Sequence, residues 1–248
     1  MSKAEPFPAP ERAKSATRRA AGKASVEYPE SDGKPMAETP LHWQYTVDVT
    51  LALRAWYRDN PRVYVGSDMM MYPEEGNPRR SVSADVFVAL DTPKQPERRV
   101  WMVWEEGKLA DFVVEITSRS TRHRDQVVNA RLYESLGVRE YWQYDPTGDY
   151  LDPVLRGRRA GPDGRWQEIV LEDRGGLLCG ASLLGLELHL LTDRSLRLFD
   201  PGQREYLPVF EEEVEGRMRE REARLAAEAT LKEKETEIEA LKRRLRED

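Results

Sequence analysis

The chain has 248 residues, which is enough length for one sizeable domain with appendages, and its formal net charge is −6. A negative net charge excludes a protein that coats nucleic acid by bulk attraction alone, although it is compatible with a local basic surface. The single cysteine, Cys179, excludes an internal disulfide framework and an all-cysteine metal site. No apolar run is long enough to cross a bilayer, so the sequence predicts a cytoplasmic protein without a membrane segment.

Composition divides the chain into three parts. Residues 1–36 contain almost no large apolar side chains, which predicts a disordered N-terminal arm. Residues 37–206 carry nearly all of the Trp, Tyr, Phe, Ile and Val and are interpreted as one α/β domain. Residues 207–248 are rich in charged residues, Ala and Leu, and are predicted to form a charged coiled-coil helix. The apolar positions that repeat at seven-residue intervals there are Leu231, Ile238 and Leu245.

The first half of the domain begins with a helix and continues with strands. Apolar periodicity near 3.6 residues predicts the helix over residues 38–59. Two short strands are predicted at 62–66 and 68–72. Further strands are predicted at 82–90 and 100–104.

The second half of the domain contains a strand, a helix and another strand in succession. The sequence predicts these at 111–117, 124–136 and 138–144, respectively. This order implies a right-handed crossover and a partly parallel sheet. Residues 151–206 are rich in turns and contain only short strand candidates.

Two acidic residues interrupt apolar strand sequences. Asp85 lies within the run 82–88, and Glu115 lies within the run 112–116. A charge in such a run is costly unless it is paired or bound to a metal. Two acids on neighbouring strands can share one divalent ion, but each can equally meet solvent or an arginine at a strand end. The spacing alone leaves both interpretations open.

The sequence around these acids resembles the Uma family of restriction endonucleases, in the PD-(D/E)XK nuclease superfamily. The resemblance covers roughly Glu38 to Asp200 and is most specific from Asp111 to Pro146. The segments that carry it are Ala84–Val88, Trp104–Gly107, Asp111–Arg122, Asp125, Leu132–Tyr133, Leu136–Trp142 and Asp145–Pro146.

The resemblance implies both a fold and a chemistry. The expected fold is an α/β restriction-endonuclease-like core, with a mixed β-sheet flanked by helices, followed by the C-terminal coiled-coil helix. The expected activity is Mg²⁺-dependent (or Mn²⁺-dependent) hydrolysis of DNA, with Asp85, Glu115 and the carbonyl of Ile116 as metal ligands. Such nucleases often act as dimers, so a homodimer or larger assembly through the C-terminal helix is expected.

One element of the family pattern is absent. A lysine is expected either two residues after Glu115 or on the following helix, and these positions hold Thr117 and Asn129. Both are included among the predicted catalytic positions. The arginines that can substitute for the lysine are Arg122, Arg124 and Arg131, although guanidinium differs from ammonium in shape and transfers protons poorly. A second interpretation is therefore kept: a degenerate nuclease fold that binds DNA or protein and assembles through its coiled coil.

Other polar residues have two interpretations each. Glu38 is either an outer metal ligand or an acid that stabilises the helix dipole. His123 either faces phosphate or is a solvated loop residue. His42 is interpreted as a packing residue, because no second histidine supports a ligand role, and Arg139 and Glu140 are interpreted as surface charges.

Overall fold

The computed structural model describes residues 26–31, 33, 39–118 and 128–247. Most of the predicted N-terminal arm lies outside these residues, and its disorder stays a prediction. In its described part, Tyr28 is buried against Tyr72 and Trp104, so this part of the arm packs on the domain. Within the described ranges, no helix has an apolar stretch long enough to cross a membrane.

Helix α1 spans Pro40–Trp56, within the range 38–59 that the apolar periodicity predicts. The Thr39 hydroxyl accepts a hydrogen bond from the His42 N–H at 3.2 Å, and Pro40 occupies the first turn, where its missing N–H costs nothing. Three more helices follow in the described chain. They are α2 (Val103–Glu106), α3 (Ala130–Ser135) and α4 (Phe210–Glu247).

The first sheet has seven strands in the order β3-β1-β2-β4-β5-β6-β7. Its strands are β1 (Val63–Tyr72), β2 (Val82–Leu90), β3 (Trp101–Met102), β4 (Phe112–Ile116), β5 (Glu140–Tyr144), β6 (Leu155–Ala160) and β7 (Trp166–Glu168). β4 and β5 are parallel and the chain between them contains α3, whereas β2 and β4 are antiparallel. The predicted α/β fold with a mixed sheet is therefore confirmed.

Two local predictions for this sheet are wrong. β1 is one continuous strand rather than two, with Asp68 in its middle at φ 47°, a left-handed conformation that Asp tolerates better than most residues. The predicted strand at 100–104 shortens to β3, because the chain turns into α2 at Val103.

A second sheet of five strands, not predicted as a unit, forms after β7 in the order β12-β11-β10-β9-β8. Its strands are β8 (Glu172–Asp173), β9 (Leu178–Ala181), β10 (Glu187–Leu190), β11 (Leu196–Asp200) and β12 (Glu205–Tyr206). Leu188 and Leu198 from this sheet share one apolar core with α1 and with one face of the first sheet. This core therefore buries apolar side chains from α1, the first sheet and the second sheet together.

The opposite face of the first sheet packs against α3. Val113 of β4, Tyr141 of β5 and Tyr133 of α3 belong to this second core. Side chains alternate between faces along a strand, so Glu115, two residues beyond Val113, also lies on the α3 side. The sheet therefore presents Glu115 to α3 and its neighbours Val114 and Ile116 to α1.

The start of helix α4 is anchored to the domain by described contacts. The Phe210 N–H donates to Asp48 Oδ1 of α1 at 2.9 Å, and Arg197 of β11 pairs with Glu212 at 2.8 Å. Further along, Leu231 and Ile238 are 60% and 49% exposed. The helix is present as predicted, and these two residues of its apolar repeat face solvent in this single chain.

Glu140 is buried, so its interpretation as a surface charge is wrong. It sits at the start of β5 with no solvent exposure. Its carboxylate accepts hydrogen bonds from Trp142 Nε1 at 2.7 Å, Arg159 Nε at 2.6 Å and the Leu183 N–H at 2.9 Å. Such pairing is what allows a carboxylate to remain charged in the interior.

Candidate functional site

Asp85 and Glu115 lie next to each other at the position where the pairing between β2 and β4 ends. The ladder between these strands includes Val86 opposite Val114, which brings Asp85 next to Glu115 at the following position. There, side chains bridge the strands: the Asp85 N–H donates to Glu115 Oε2 at 3.3 Å, and the Ile116 N–H donates to Asp85 Oδ2 at 2.6 Å. Each carboxylate is thus held by the main chain of the other strand.

His42 completes the environment of Asp85. Its Nε2 lies 3.2 Å from Asp85 Oδ2, and its side chain is buried in the first turn of α1. A proton on Nε2 makes this contact a hydrogen bond to the carboxylate. The interpretation of His42 as a packing residue therefore missed its polar role, because a contact across 43 residues leaves no signal in the local sequence.

Tyr133 of α3 holds Glu115. Its hydroxyl donates to Glu115 Oε1 at 2.7 Å, and the ring is fully buried. Burial, reinforced by the adjacent Glu115 carboxylate, raises the pKa of Tyr133 well above its ordinary value. The phenol consequently stays protonated and remains a donor to Glu115 throughout the physiological pH range.

Thr117 and Asn129, which occupy the two positions where the lysine is expected, are both buried. Thr117 is two residues from Glu115 in the chain, and Asn129 lies on the helical segment whose Tyr133 contacts Glu115. Thr117 follows Glu115 on the same side of β4, and its N–H donates to the Tyr144 carbonyl at 2.7 Å. Within the described chain, its Oγ1 has no hydrogen-bond partner. Asn129 lies four residues before Tyr133, hence on the same side of the helical segment, and is 5% exposed.

Of the three arginines proposed as substitutes for the lysine, the structure describes Arg131. Arg131 is exposed and lies two positions from Tyr133, on a different side of α3. Glu38, Arg122, His123 and Arg124 lie outside the described residues, so their interpretations stay predictions.

Gln143 of β5 is a neighbour of Glu115 that the sequence did not single out. The two residues are directly paired in the parallel ladder between β4 and β5, which places their side chains on the same face of the sheet. Gln143 is 1% exposed, and its Nε2 has no hydrogen-bond partner in the part of the chain that the structure describes. The sequence signal that could have indicated this residue is a glutamine within a strand that is otherwise predicted to be buried.

The donor set at this site fits a hard divalent cation. Such ions prefer carboxylate oxygens together with water. Asp85 Oδ2 is engaged by Ile116 and His42, whereas Oδ1 accepts no hydrogen bond from the described residues and the side chain is 16% exposed. One Asp85 oxygen is therefore available beside the Glu115 carboxylate.

A second cluster of potential metal ligands, in the second sheet, already contains a cation. Cys179, Glu187 and His189 place one ligand atom each within 4.8 Å of one another. However, Arg174 Nη1 lies 2.9 Å from Glu187 Oε2 and lowers the pKa of that carboxyl, while burial raises the pKa of the Cys179 thiol. Arg174 also pairs with Glu172, so an ion-pair network already engages the carboxylate of this cluster. At the Asp85–Glu115 site, by contrast, no Lys or Arg among the described residues pairs with Asp85.

Fold and site together define an α/β protein with two carboxylates on neighbouring central strands of a mixed sheet. The family model described as "Uma2: Putative restriction endonuclease" matches residues 18–194. The chain therefore belongs to the Uma2 family, and this membership supports a nuclease activity. A comparison with curated proteins found no match.

A search of solved structures gave a similar chain described as a putative nuclease belonging to DUF820 from Anabaena variabilis. It is 10% identical, with 73% of this chain and 74% of that chain covered and a TM-score of 0.38.

Proposed function

We propose that the protein is a Mg²⁺- or Mn²⁺-dependent endonuclease that hydrolyses phosphodiester bonds in DNA. The observation that carries the proposal is the reciprocal bridge between Asp85 and Glu115, which holds two carboxylates side by side on two central strands of the sheet. Membership of the Uma2 family supplies the reaction class. The residues that would hold the ion are Asp85, Glu115 and the carbonyl of Ile116.

The chain's own residues prepare these ligands. His42 and the Ile116 N–H fix Asp85 through Oδ2 and leave Oδ1 for the ion. Tyr133 fixes Glu115 through Oε1, and its raised pKa keeps the donor in place. When bound, the ion would lower the pKa of a coordinated water and stabilise charge on the phosphate. Ligands held in advance need little reorganisation on binding, which favours catalysis.

Asn129→Lys is expected to raise cleavage by about tenfold or more, because it places an ammonium at a position where the family usually carries one. A single preorganised donor is commonly worth about 10²–10³ in rate, of which burial of the new charge would remove part. The measurement is single-turnover cleavage of supercoiled plasmid in Mg²⁺. Ser135→Lys, which adds the same charge on the exposed side of α3, is the control and should change nothing.

The second candidate function is a binding or assembly module built on a degenerate nuclease fold. The neutral residues Thr117 and Asn129 favour it, as do the exposed Leu231 and Ile238 of α4. If Asn129→Lys and the wild type both fail to nick plasmid while the wild type still binds DNA, this second function replaces the first.

We also propose that α4 pairs with α4 of a second copy of the chain. Leu231 and Ile238 are large, exposed and seven residues apart, the spacing of a coiled-coil seam. Replacing both with Glu is expected to convert a dimer to a monomer in sedimentation velocity. Lys232→Glu, one position outside the seam, should leave the dimer intact; a monomeric wild type would contradict the pairing.

A further inference from the structure

Gln143 combines three properties that a purely structural role does not explain. It is a polar residue in the middle of a sheet, with 1% exposure. It is paired with Glu115 across the parallel ladder and therefore lies on the site's face. Its amide Nε2 donates to nothing among the described residues.

A buried donor without an acceptor is unfavourable, since it has lost its water and gained no partner. An apolar side chain of the same size would fill this position at no such cost. Unsatisfied buried groups that persist in a protein often have a functional acceptor that arrives with a ligand. The Thr117 hydroxyl is also buried and has no hydrogen-bond partner among the described residues, and it lies two residues beyond Glu115, on the same side of the strand.

We infer that Gln143 contacts the substrate: its side-chain amide donates to an oxygen of the phosphodiester bound beside Glu115, with the Thr117 hydroxyl as a second neutral donor. The inference rests on the proposed nuclease function. It explains how a site without lysine at positions 117 and 129 still supplies hydrogen-bond donors for phosphate. An amide donates without carrying charge, so it can stay buried where an ammonium would be costly.

The test compares wild type with Gln143→Met, which keeps the length and volume of the side chain and removes the amide. In ligand-free protein, Tm is expected to rise by roughly 2–6 °C, because an unsatisfied donor has been removed. In Mg²⁺, single-turnover cleavage of DNA is expected to fall by about 10- to 100-fold. A structural role predicts the opposite change in Tm, since removal of a satisfied amide destabilises.

Two further variants sharpen the result. Thr117→Val is isosteric and should show the same combination of raised Tm and lowered cleavage. Gln167→Met replaces an exposed glutamine on β7 and should alter neither quantity.

A fall in Tm for Gln143→Met, or cleavage equal to that of wild type, would overturn the inference while leaving the nuclease function in place. A wild type that cleaves no DNA under any metal condition would instead remove the proposed function, and the substrate contact with it.

Discussion

Glu115→Gln is expected to reduce metal-dependent cleavage by at least about 10³-fold while the protein remains folded. The amide keeps the size of the carboxylate and can still accept a hydrogen bond from Tyr133, which donates to Glu115 Oε1 at 2.7 Å. What it loses is the negative charge that a hard cation requires. Plasmid cleavage measured beside circular dichroism melting separates the two effects.

Glu115→Ala is a less informative variant, because Glu115 is not an unpaired buried acid. Removing it would leave the Tyr133 hydroxyl and the Asp85 N–H without this acceptor in a buried site. Destabilisation and loss of activity would then be confounded. Glu140→Gln is a useful contrast, because the buried Glu140 carboxylate pairs with Arg159. This substitution is expected to lower stability rather than to act directly on cleavage. Full cleavage by Glu115→Gln would refute the assignment of this residue.

Asp145→Ala is expected to destabilise the fold by about 3–5 kcal/mol, the second large effect. The Asp145 carboxylate is fully buried at the end of β5 and accepts hydrogen bonds from the Thr147 hydroxyl and four backbone N–H groups. The four N–H donors are those of Thr147, Gly148, Tyr150 and Leu151. Alanine would leave these donors unsatisfied, and urea denaturation of wild type and variant measures the difference.

The pH dependence of that difference follows from the pKa of Asp145. Burial acts to raise this pKa, but the hydrogen bonds from Tyr150, Thr147 and Leu151 outweigh it and lower the pKa below the ordinary value. A carboxyl with a depressed folded pKa stabilises fully above its unfolded pKa of about 3.9 and loses that contribution as pH falls through the folded value. The gap between wild type and Asp145→Ala should therefore be constant near neutrality and narrow in acid.

Asp149→Ala provides the matched control for this prediction. Asp149 lies in the same turn but is exposed, so its replacement is expected to change stability by no more than about 0.5 kcal/mol. Equal stability of Asp145→Ala and wild type would show that the turn satisfies its backbone groups in another way.

The strands that carry the two carboxylates could be predicted from the sequence because their signals are local. Continuous apolar runs around Asp85 and Glu115 indicate buried strands, and a strand, helix and strand in succession favours parallel pairing. The observed β2, β4 and β5 agree with these predictions. The metal-ligand roles came from the family resemblance and stay predictions.

The partners of the carboxylates could not be predicted, because they depend on contacts distant in sequence. His42 reaches Asp85 across 43 residues, and Tyr133 reaches Glu115 across 18. A histidine in a helix or a tyrosine on an apolar face has the same local pattern whether it packs or donates. The buried state of Glu140 likewise depends on Arg159 and Leu183, which the sequence separates from it.

The second sheet escaped prediction for a related reason. Its strands are two to five residues long, and several are polar, as Glu172–Asp173 is. Periodicity is weak over so few residues. Pairing with neighbours and burial of Leu188 and Leu198 against α1 stabilise these strands.

The most direct test of the proposed site is calorimetric titration of Mn²⁺ into wild type and into the double variant Asp85→Asn/Glu115→Gln. The two amides keep the shapes of the two side chains, so a folded protein without the two charges is compared with the native site. The proposal predicts binding by the wild type that is lost in the double variant, with Cys179→Ala retaining it. Equal binding by wild type and double variant, or none by the wild type at millimolar Mn²⁺, would contradict it.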